Sequence, residues 1–417
     1  MKKIAVIGSG ISGLTCAYLL SQKHQVTVFE KNAVIGGHTA TMDVSLNGHK
    51  HAIDTGFIVF NDRTYPRFLT LLAKLGIEPQ KTEMSFSVTN QHSGLEYNGH
   101  TLSTLFAQKR NIFNSKFWGL LREILRFNRL CKDLYASNKF PPKLSLGDFL
   151  AAENFSDYFS QHYILPMGAA IWSTSLSEMQ KFELTFFVRF FHHHGLLNVT
   201  DRPQWYVVPG GSREYLAPLI ASFENNIQLN SDIKSVTRTN GAAQLHFADG
   251  TQQQFDEVVF ACHSDQALAL LGDATESEKN ILGAIPYQMN DVVLHTDTRL
   301  LPKRKRAWAS WNYLLSGNND CLAQVTYNMN ILQGLSSSDT FCVTLNQSAA
   351  IDPEKILGTF QYAHPVFNQT SISAQQQRSA ICGITHTHYA GAYWYNGFHE
   401  DGVHSATDIA KRFGISL

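Results

Sequence analysis

The apolar and polar positions of the chain change rhythm several times. The apolar run Ile4–Ile7 predicts a buried strand, and Gln25-Val26-Thr27-Val28-Phe29 predicts a second. Between them Ile11 to Leu20 carries a helical pattern opened by glycines. From Phe68 to Phe191 helical periodicity and aromatics dominate, with little strand alternation. Strand-like text returns at Trp205–Pro209, Ile227–Leu229, Ile233–Val236 and Glu257–Ala261. Residues 285–374 alternate again, as in Asp291–His295 and Cys321–Val325, and the chain ends in a helix through Ala406 and Ala410. Gly317–Asn319 and Ser336–Ser338 read as loops, and there are no internal repeats. This order predicts an α/β chain, α+β overall. A Rossmann-like nucleotide domain made of 1–60, 205–284 and 375–417 is interleaved with a mixed sheet-plus-helices substrate domain of 61–204 and 285–374.

The turn after the first strand is Gly8-Ser9-Gly10-Ile11-Ser12-Gly13. Gly8 permits the tight turn, Gly10 lets backbone approach a pyrophosphate, and Gly13 lets helix and sheet pack closely. The helix N-terminus then offers free N–H groups to the phosphates. Glu30 ends the second strand, where its carboxylate can accept hydrogen bonds from a ribose diol and disfavours a 2′-phosphate. A second glycine pair follows in Lys31 to Gly36-Gly37-His38, then Asp54-Thr55-Gly56-Phe57. This pair resembles the extended motif of FAD enzymes of the glutathione-reductase type. Pro209-Gly210-Gly211-Ser212 and Gly391-Ala392 through His399-Glu400-Asp401-Gly402 resemble further parts of it. There is no second G-x-G-x-x-G, which argues against a separate NAD(P)H domain. The resemblance implies non-covalent FAD. The residues expected around it are Gly8, Ser9, Gly10, Ile11, Ser12, Gly13, Glu30, Lys31, Gly36, Gly37, His38, Thr55, Gly56, Phe57, Ile233, Gly391, Gly402 and Val403.

Composition narrows the class. A chain of 417 residues suits two domains around a substantial core. Lys+Arg and Asp+Glu both number 34, so no global charge bias points to nucleic acid. Six cysteines without a C-x-x-C argue against a zinc knuckle, a redox dithiol or a disulfide framework. The N-terminal apolar run breaks at Gly8, unlike a signal peptide, and no stretch nears the ~20 apolar residues of a membrane span. A cytoplasmic protein is expected.

The segment order resembles the superfamily of flavin-containing amine oxidases, phytoene desaturases and protoporphyrinogen oxidases. The marks of a bacterial branch of it are Asp54–Asn61, Pro166–Ser173, Phe260–Asp265, Ala307–Tyr313 and Gly397–Gly402. That branch resembles the oxidoreductase domain fused ahead of cyclopropane fatty acid synthases in plants. The resemblance spans nearly the whole chain and implies FAD chemistry on an acyl or lipid-like substrate. A catalytically idle flavoprotein of this kind would instead associate with a lipid methyltransferase.

Departures from the family pattern qualify this. Where the superfamily has an arginine able to grip a pyrophosphate bidentately, this chain has His38. Where an acid usually follows the C-terminal glycine, it has Gly391-Ala392. The strand Gln288–Val292 carries no lysine of the kind that supports oxygen reactivity in monoamine oxidases, so weak oxygen reactivity is expected. No cysteine lies in the C-terminal motif to tether a flavin, since Cys382 is upstream.

Hydride removal from carbon needs a C–H held near flavin N5 in a dry pocket and positive potential at N1/O2. A helix starting near Gly402-Val403 is expected to supply that potential. Trp172, Trp308, Trp311, Tyr393 and Trp394 are expected either to wall the pocket or to be ordinary core. His399, Glu400, His263 and Trp311 are the catalytic candidates, against a structural hydrogen-bonding role for each. His192-His193-His194 cannot share one helix face, so no metal is expected there. Residues 112–135 form a basic amphipathic helix, read either as a solvated lid or as a peripheral contact with the inner membrane face. Lys303-Arg304-Lys305-Arg306 is a solvated turn or meets an acidic head group or carrier. The resulting expectation is an FAD oxidoreductase dehydrogenating or oxidising a C–H bond of a hydrophobic, acyl or lipid-like substrate. The alternatives are an amine oxidase and a catalytically idle flavoprotein partner of a lipid-modifying enzyme.

Overall fold

The computed structural model describes residues 1–239 and 241–417. Its first element is a parallel five-stranded sheet in the order 227–228, 25–29, 3–7, 257–260, 387–389. Ile4, Ala5 and Val6 lie in the middle of it without solvent exposure. That is why this strand reads as a continuous apolar run rather than an alternation. The chain leaves strand Lys3–Ile7 through helix Ile11–Leu20 to its neighbour on one side, while its other neighbour, Glu257–Phe260, arrives from far along the sequence. A strand order that reverses in this way opens a crevice at the carboxyl ends of the two central strands. A three-stranded antiparallel sheet, 233–239, 242–247 and 252–255, packs Phe247 and Phe255 against Phe29.

A second, seven-stranded sheet has the order 356–365, 287–295, 342–345, 325–328, 311–315, 86–90, 95–98. It is antiparallel except where Phe86–Asn90 runs alongside Trp311–Leu315. Helices Ser115–Ser137, Leu146–Ala152, Leu165–Trp172 and Leu184–His193 build an aromatic core in which Phe127 touches the rings of Phe149, Phe155, Phe159 and Phe187. One apolar core combines residues 4–29, 60–72, 208–285 and 374–415. The other combines 44–58, 88–207, 292–345 and Phe367.

Several expected elements differ from those observed. The hairpin Thr41–Leu46/His49–Asp54 was not anticipated, although Asn47-Gly48 at its tip has the two positive φ angles that a tight hairpin turn requires. Strands Phe86–Asn90 and Leu95–Asn98 were hidden because polar residues are buried along them. Ser87 donates to Asn312, and Asn98 donates to the Trp308 carbonyl. The strand expected from Cys321 begins at Val325 instead. Leu322 bridges to Ser175 in the helical layer, and the Cys321 thiol turns back to the Asn318 carbonyl.

The nucleotide-side elements are locked by a buried ion pair. Arg238 meets Glu278 through two N–H groups at 2.6 and 2.9 Å, and Tyr389 donates to the same carboxylate at 2.5 Å. Burial alone would raise the Glu278 carboxyl, but Arg238, Tyr389 and the Thr275 amide outweigh it and hold it at about 2. The depressed value means the stabilisation is complete above the ordinary carboxylate range and is lost as pH falls towards 2. Glu278→Gln, which leaves Arg238 paired with Asp273 alone, is expected to cost about 1–3 kcal/mol. It should also flatten the fall in melting temperature on acidification below about pH 4.5, read by circular dichroism.

Candidate cofactor site and the crevice beside it

The glycine turn leaves strand Lys3–Ile7 and enters helix Ile11–Leu20 with no side chain in the way. A Cβ on Gly8 would stand 2.8 Å from the Ala261 carbonyl, and one on Gly13 would stand 1.9 Å from the Gly8 carbonyl. These two glycines serve packing. Gly10 differs: an added Cβ meets nothing within 4 Å, so the space over it is open. Gly10 caps the helix without a side-chain hydrogen bond, and the first turn carries no acid. Leu14 is the first amide bonded back, to the Gly10 carbonyl, which leaves the Ile11, Ser12 and Gly13 amides without an intrahelical acceptor. Open space beneath free amides at a helix N-terminus fits a phosphate.

The other expected residues gather on the same rim. The Ser9 amide and hydroxyl donate to Glu30, whose second oxygen accepts from the Asn32 amide and side chain. Lys31 sits in the exposed turn that follows, and Ile233 begins the strand two residues after Ser231, whose amide donates to the Glu30 carbonyl. Gly36 donates to the Ser9 carbonyl and bridges Gly10, and a Cβ on Gly37 would lie 3.2 Å from the Gly10 Cα. A Cβ on Gly56 would lie 2.2 Å from the His38 carbonyl, which accepts from the Phe57 amide. Asp54 accepts from Thr41 and from the Ser212 amide and hydroxyl, which ties the Pro209–Ser212 motif to this rim. Burial holds the Asp54 carboxyl up at about 6.

Beside the cradle lies a cluster of rings that is half-buried, enclosed by protein yet reached by solvent. His38 stands 5.1 Å from Tyr362, 5.6 Å from His364 and 6.1 Å from His263, between ring centroids. His263 stacks on Tyr287 at 4.3 Å, Thr55 meets the Tyr362 hydroxyl at 3.0 Å, and Asn290 approaches His364 at 3.3 Å. Burial first, then the neighbouring imidazoles, holds His38 down at about 3; the same causes hold His364 at about 4. His263 is lowered by burial as well. Sequence reasoning found His38, Thr55 and His263 but missed Tyr362, His364 and Tyr287. Period two along strand Ile356–Pro365 puts Tyr362 and His364 on one face, and that was the available signal.

The remaining candidates fall elsewhere. His399 bonds with Tyr215 at 2.7 Å and stacks on Phe57 at 3.7 Å, and burial keeps it neutral. Glu400 accepts from the Arg67 and Phe68 amides, so its carboxylate caps helix Pro66–Lys74, whose own N-cap residue supplies no side-chain bond. The C-terminal helix begins at His399, three residues before the expected start, because Asp401 accepts from the Phe398 amide and closes the cap there. Gly402 already donates to the Phe398 carbonyl, and Val403 lies in the buried core. The free amides of that helix therefore belong to His399, Glu400 and Asp401. Gly402 acts in packing: a Cβ there would stand 2.7 Å from the Ile11 side chain and 2.9 Å from the Ser12 hydroxyl. Gly391 donates to Ser405 and leaves room for the Tyr393 ring.

The five aromatic candidates do not form one wall. Tyr393 and Trp394 belong to the nucleotide-side core, Trp172 to the helical core, and Trp311 packs on Tyr327 at the second sheet. Trp308 donates to the Pro302 carbonyl. His192, His193 and His194 diverge, the first two to Tyr135 and the third to Phe190. Among the described residues no group of three or more His, Cys, Asp or Glu side chains is arranged to hold a metal ion.

A parallel-sheet crevice with an open glycine cradle and an acid at the next strand end defines a dinucleotide-binding protein. The sequence profile of the flavin containing amine oxidoreductases matches residues 11–326, and the chain belongs to that family. It is an FAD-dependent oxidoreductase. Three solved structures share its fold over 99% of this chain. The fatty acid isomerase of P. acnes that produces CLA is 15% identical, with a TM-score of 0.70 over 98% of its own length. Cyclohexylamine oxidase from Brevibacterium oxydans IH-35A is 14% identical, with a TM-score of 0.71 over 99%. Putrescine oxidase bound to putrescine is 13% identical, with a TM-score of 0.71 over 98%. No curated protein matches the chain in sequence.

Gly10→Val separates cofactor binding from folding. Its φ of −69° and its open surroundings accept a side chain. The variant is expected to keep its melting temperature in flavin-free form and to weaken FAD binding about tenfold or more, read by the flavin absorbance that survives gel filtration. Gly13→Val, which collides with backbone, is expected to unfold the protein.

Proposed function

We propose that this oxidoreductase dehydrogenates or oxidises a C–H bond of a hydrophobic acyl or lipid-like molecule. In this reading the cofactor unit is 1–60, 205–284 and 375–417, and the substrate is held by 61–204 and 285–374. FAD, held without a covalent bond, would supply the hydride acceptor. The observation that carries the substrate class is the chemistry of the crevice. Its ionisable walls are imidazoles and phenols, and the nearby carboxylates hold other groups, with Asp54 Oδ2 alone left without a partner among them. Glu30 is held by Ser9 and Asn32, Asp54 by Thr41 and Ser212, Glu400 by Arg67 and Phe68, and Asp401 by Phe398. The imidazole and phenol walls themselves offer an ammonium no ion pair, whereas apolar or carboxylate-bearing chains meet no repulsion from them. The fold itself does not separate these classes, because the relatives that share it include a fatty acid isomerase and amine oxidases.

Glu400 is given to structure in this reading, since its lone pairs hold a helix end. His399 orients Tyr215 and Phe57. The residues left to orient substrate are His263, His364 and Tyr362, with Trp311 at the far sheet. Anaerobic titration of the purified holoprotein tests the assignment. Bleaching of the flavin by fatty acids or phospholipids and not by amines is the expected result. Bleaching by amines, with peroxide on admitting air, would restore amine oxidation, and a flavin that neither class bleaches would favour a partner role for a lipid-modifying enzyme.

The route for such a substrate lies along helix Ser115–Ser137. Phe117, Leu120 and Phe127 point into the core, while Trp118, Arg122, Leu125, Arg129 and Lys132 recur at helical spacing on the exposed face. Ile112 and Phe113 extend this stripe, Phe113 being 90% exposed, and the Trp118 indole is tied to the Ile112 carbonyl. The basic turn Lys305–Ala307 packs beside helix Leu102–Leu105, whose Leu102 is also exposed. Aromatic and cationic side chains mixed on one face suit an anionic bilayer surface. Among the described residues no helix is long and apolar enough to cross a membrane, so the proposed contact is peripheral. The protein is expected to co-sediment with vesicles containing phosphatidylglycerol and not with pure phosphatidylcholine, and Phe113→Ala should weaken this about tenfold.

A further inference from the structure

We propose that His38 is a proton-coupled subsite for the pyrophosphate of FAD, so that the protein takes up a proton when the cofactor binds. The inference rests on placing FAD over the Gly10 cradle. Three observations carry it. Gly36 bridges Gly10 and Gly37 abuts it, so the residue that follows, His38, is held at the edge of the cradle. His38 Nε2 is buried and has no hydrogen-bond partner, although its ring is surrounded by His263, Tyr362 and His364. Those neighbours converge from the strand end at Ala261–His263 and from strand Ile356–Pro365, on the rim where the two central strands open their crevice.

An orphaned buried nitrogen is costly unless something in the working molecule meets it. A phosphate oxygen over Gly10 is the group that the cradle itself calls for. Three imidazoles packed together in one crevice are neutral while no anion is present, because burial and mutual repulsion both disfavour the charged form. A pyrophosphate reverses the balance. Its negative charge favours an imidazolium at His38, and the proton comes from solvent. The other groups facing this cluster do not supply the charge. Tyr362 and Tyr287 are phenols whose ionisation burial pushes upward, His399 is buried and neutral, and Asp265 is exposed on the helix that His263 caps. The site therefore obtains with a proton what a permanent guanidinium would hold at all pH values.

Linkage fixes the sign. The pyrophosphate is dianionic across the neutral range, so any slope belongs to the protein. One proton taken up on binding makes FAD affinity fall by about tenfold per pH unit between the lowered pKa of the free imidazole and the raised pKa of the bound one, and level off above the latter. The test uses holoprotein diluted to equilibrium between about pH 6 and pH 9, with released FAD read by its fluorescence. The wild type is expected to release progressively more FAD as pH rises. His38→Arg should hold FAD tightly with no slope, and His38→Gln should hold it weakly with no slope. A flat wild-type profile would overturn the proposal, as would a slope that survives in His38→Gln, which would trace it to another group or to unfolding. A protein purified without flavin would overturn the placement of FAD as well, a result separate from a bound flavin with no slope.

Discussion

Everything at the cofactor end depends on backbone packed against backbone. Strand Lys3–Ile7, helix Ile11–Leu20 and the loop after strand Glu257–Phe260 meet at Gly8 and Gly13 with no room for a methyl group. That contact sets the helix N-terminus over the sheet rim, and the free amides then point into the space above Gly10. A Cβ at either packing glycine would collide with backbone and push the helix off the sheet, and the anion-binding geometry would go with it. The second glycine pair repeats the device: Gly36 and Gly37 lie on Gly10, and Gly56 lies on the His38 carbonyl. Close approach also recruits the far end of the chain, because Gly402 lets helix His399–Arg412 lie directly on Ile11 and Ser12. Residues separated by most of the sequence thereby share one rim.

Polar groups then fix what the glycines bring together. Asp54 holds Ser212, and so the Pro209–Ser212 turn, to the hairpin that follows the second glycine pair. Glu400 reaches from the C-terminal helix to the N-terminus of helix Pro66–Lys74, and a carboxylate there answers the dipole of a helix that has no cap of its own. Glu400 looks like a catalytic candidate from its motif position, but its lone pairs are spent on assembly.

Much of this was legible in the sequence for identifiable reasons. The strand–glycine–helix–strand–acid order states its own geometry because each glycine answers a local backbone demand, and the parallel strand announces itself as an unbroken apolar run. Strands lined by buried polar residues, such as Ser87 and Asn98, concealed their period, since burial without apolarity breaks the alternation. The start of the last helix was misplaced because its cap is a carboxylate at Asp401 bonding back to Phe398, not a Ser, Thr or Asn before it. The crevice was only half legible. His38 and His263 lie in motifs, but Tyr362 and His364 come from a strand more than 300 positions beyond His38, and only the fold unites them.

The groups around this rim share an electrostatic character. Imidazoles there are held neutral, while burial pushes Asp54 up to about 6 and Asp401 up to about 7. The imidazoles therefore carry no charge of their own near neutral pH, and what charge they acquire is decided by what enters the crevice. That arrangement avoids the desolvation cost of unpaired buried ions in the empty crevice. It also makes protonation part of recognition, since an anionic ligand draws a proton onto an imidazole while an apolar chain leaves the walls neutral. A fixed arginine would discriminate more strongly for phosphate but would stand as an uncompensated charge beside an apolar substrate. Neutral, titratable walls reconcile a dianionic cofactor and a hydrophobic substrate within one continuous crevice.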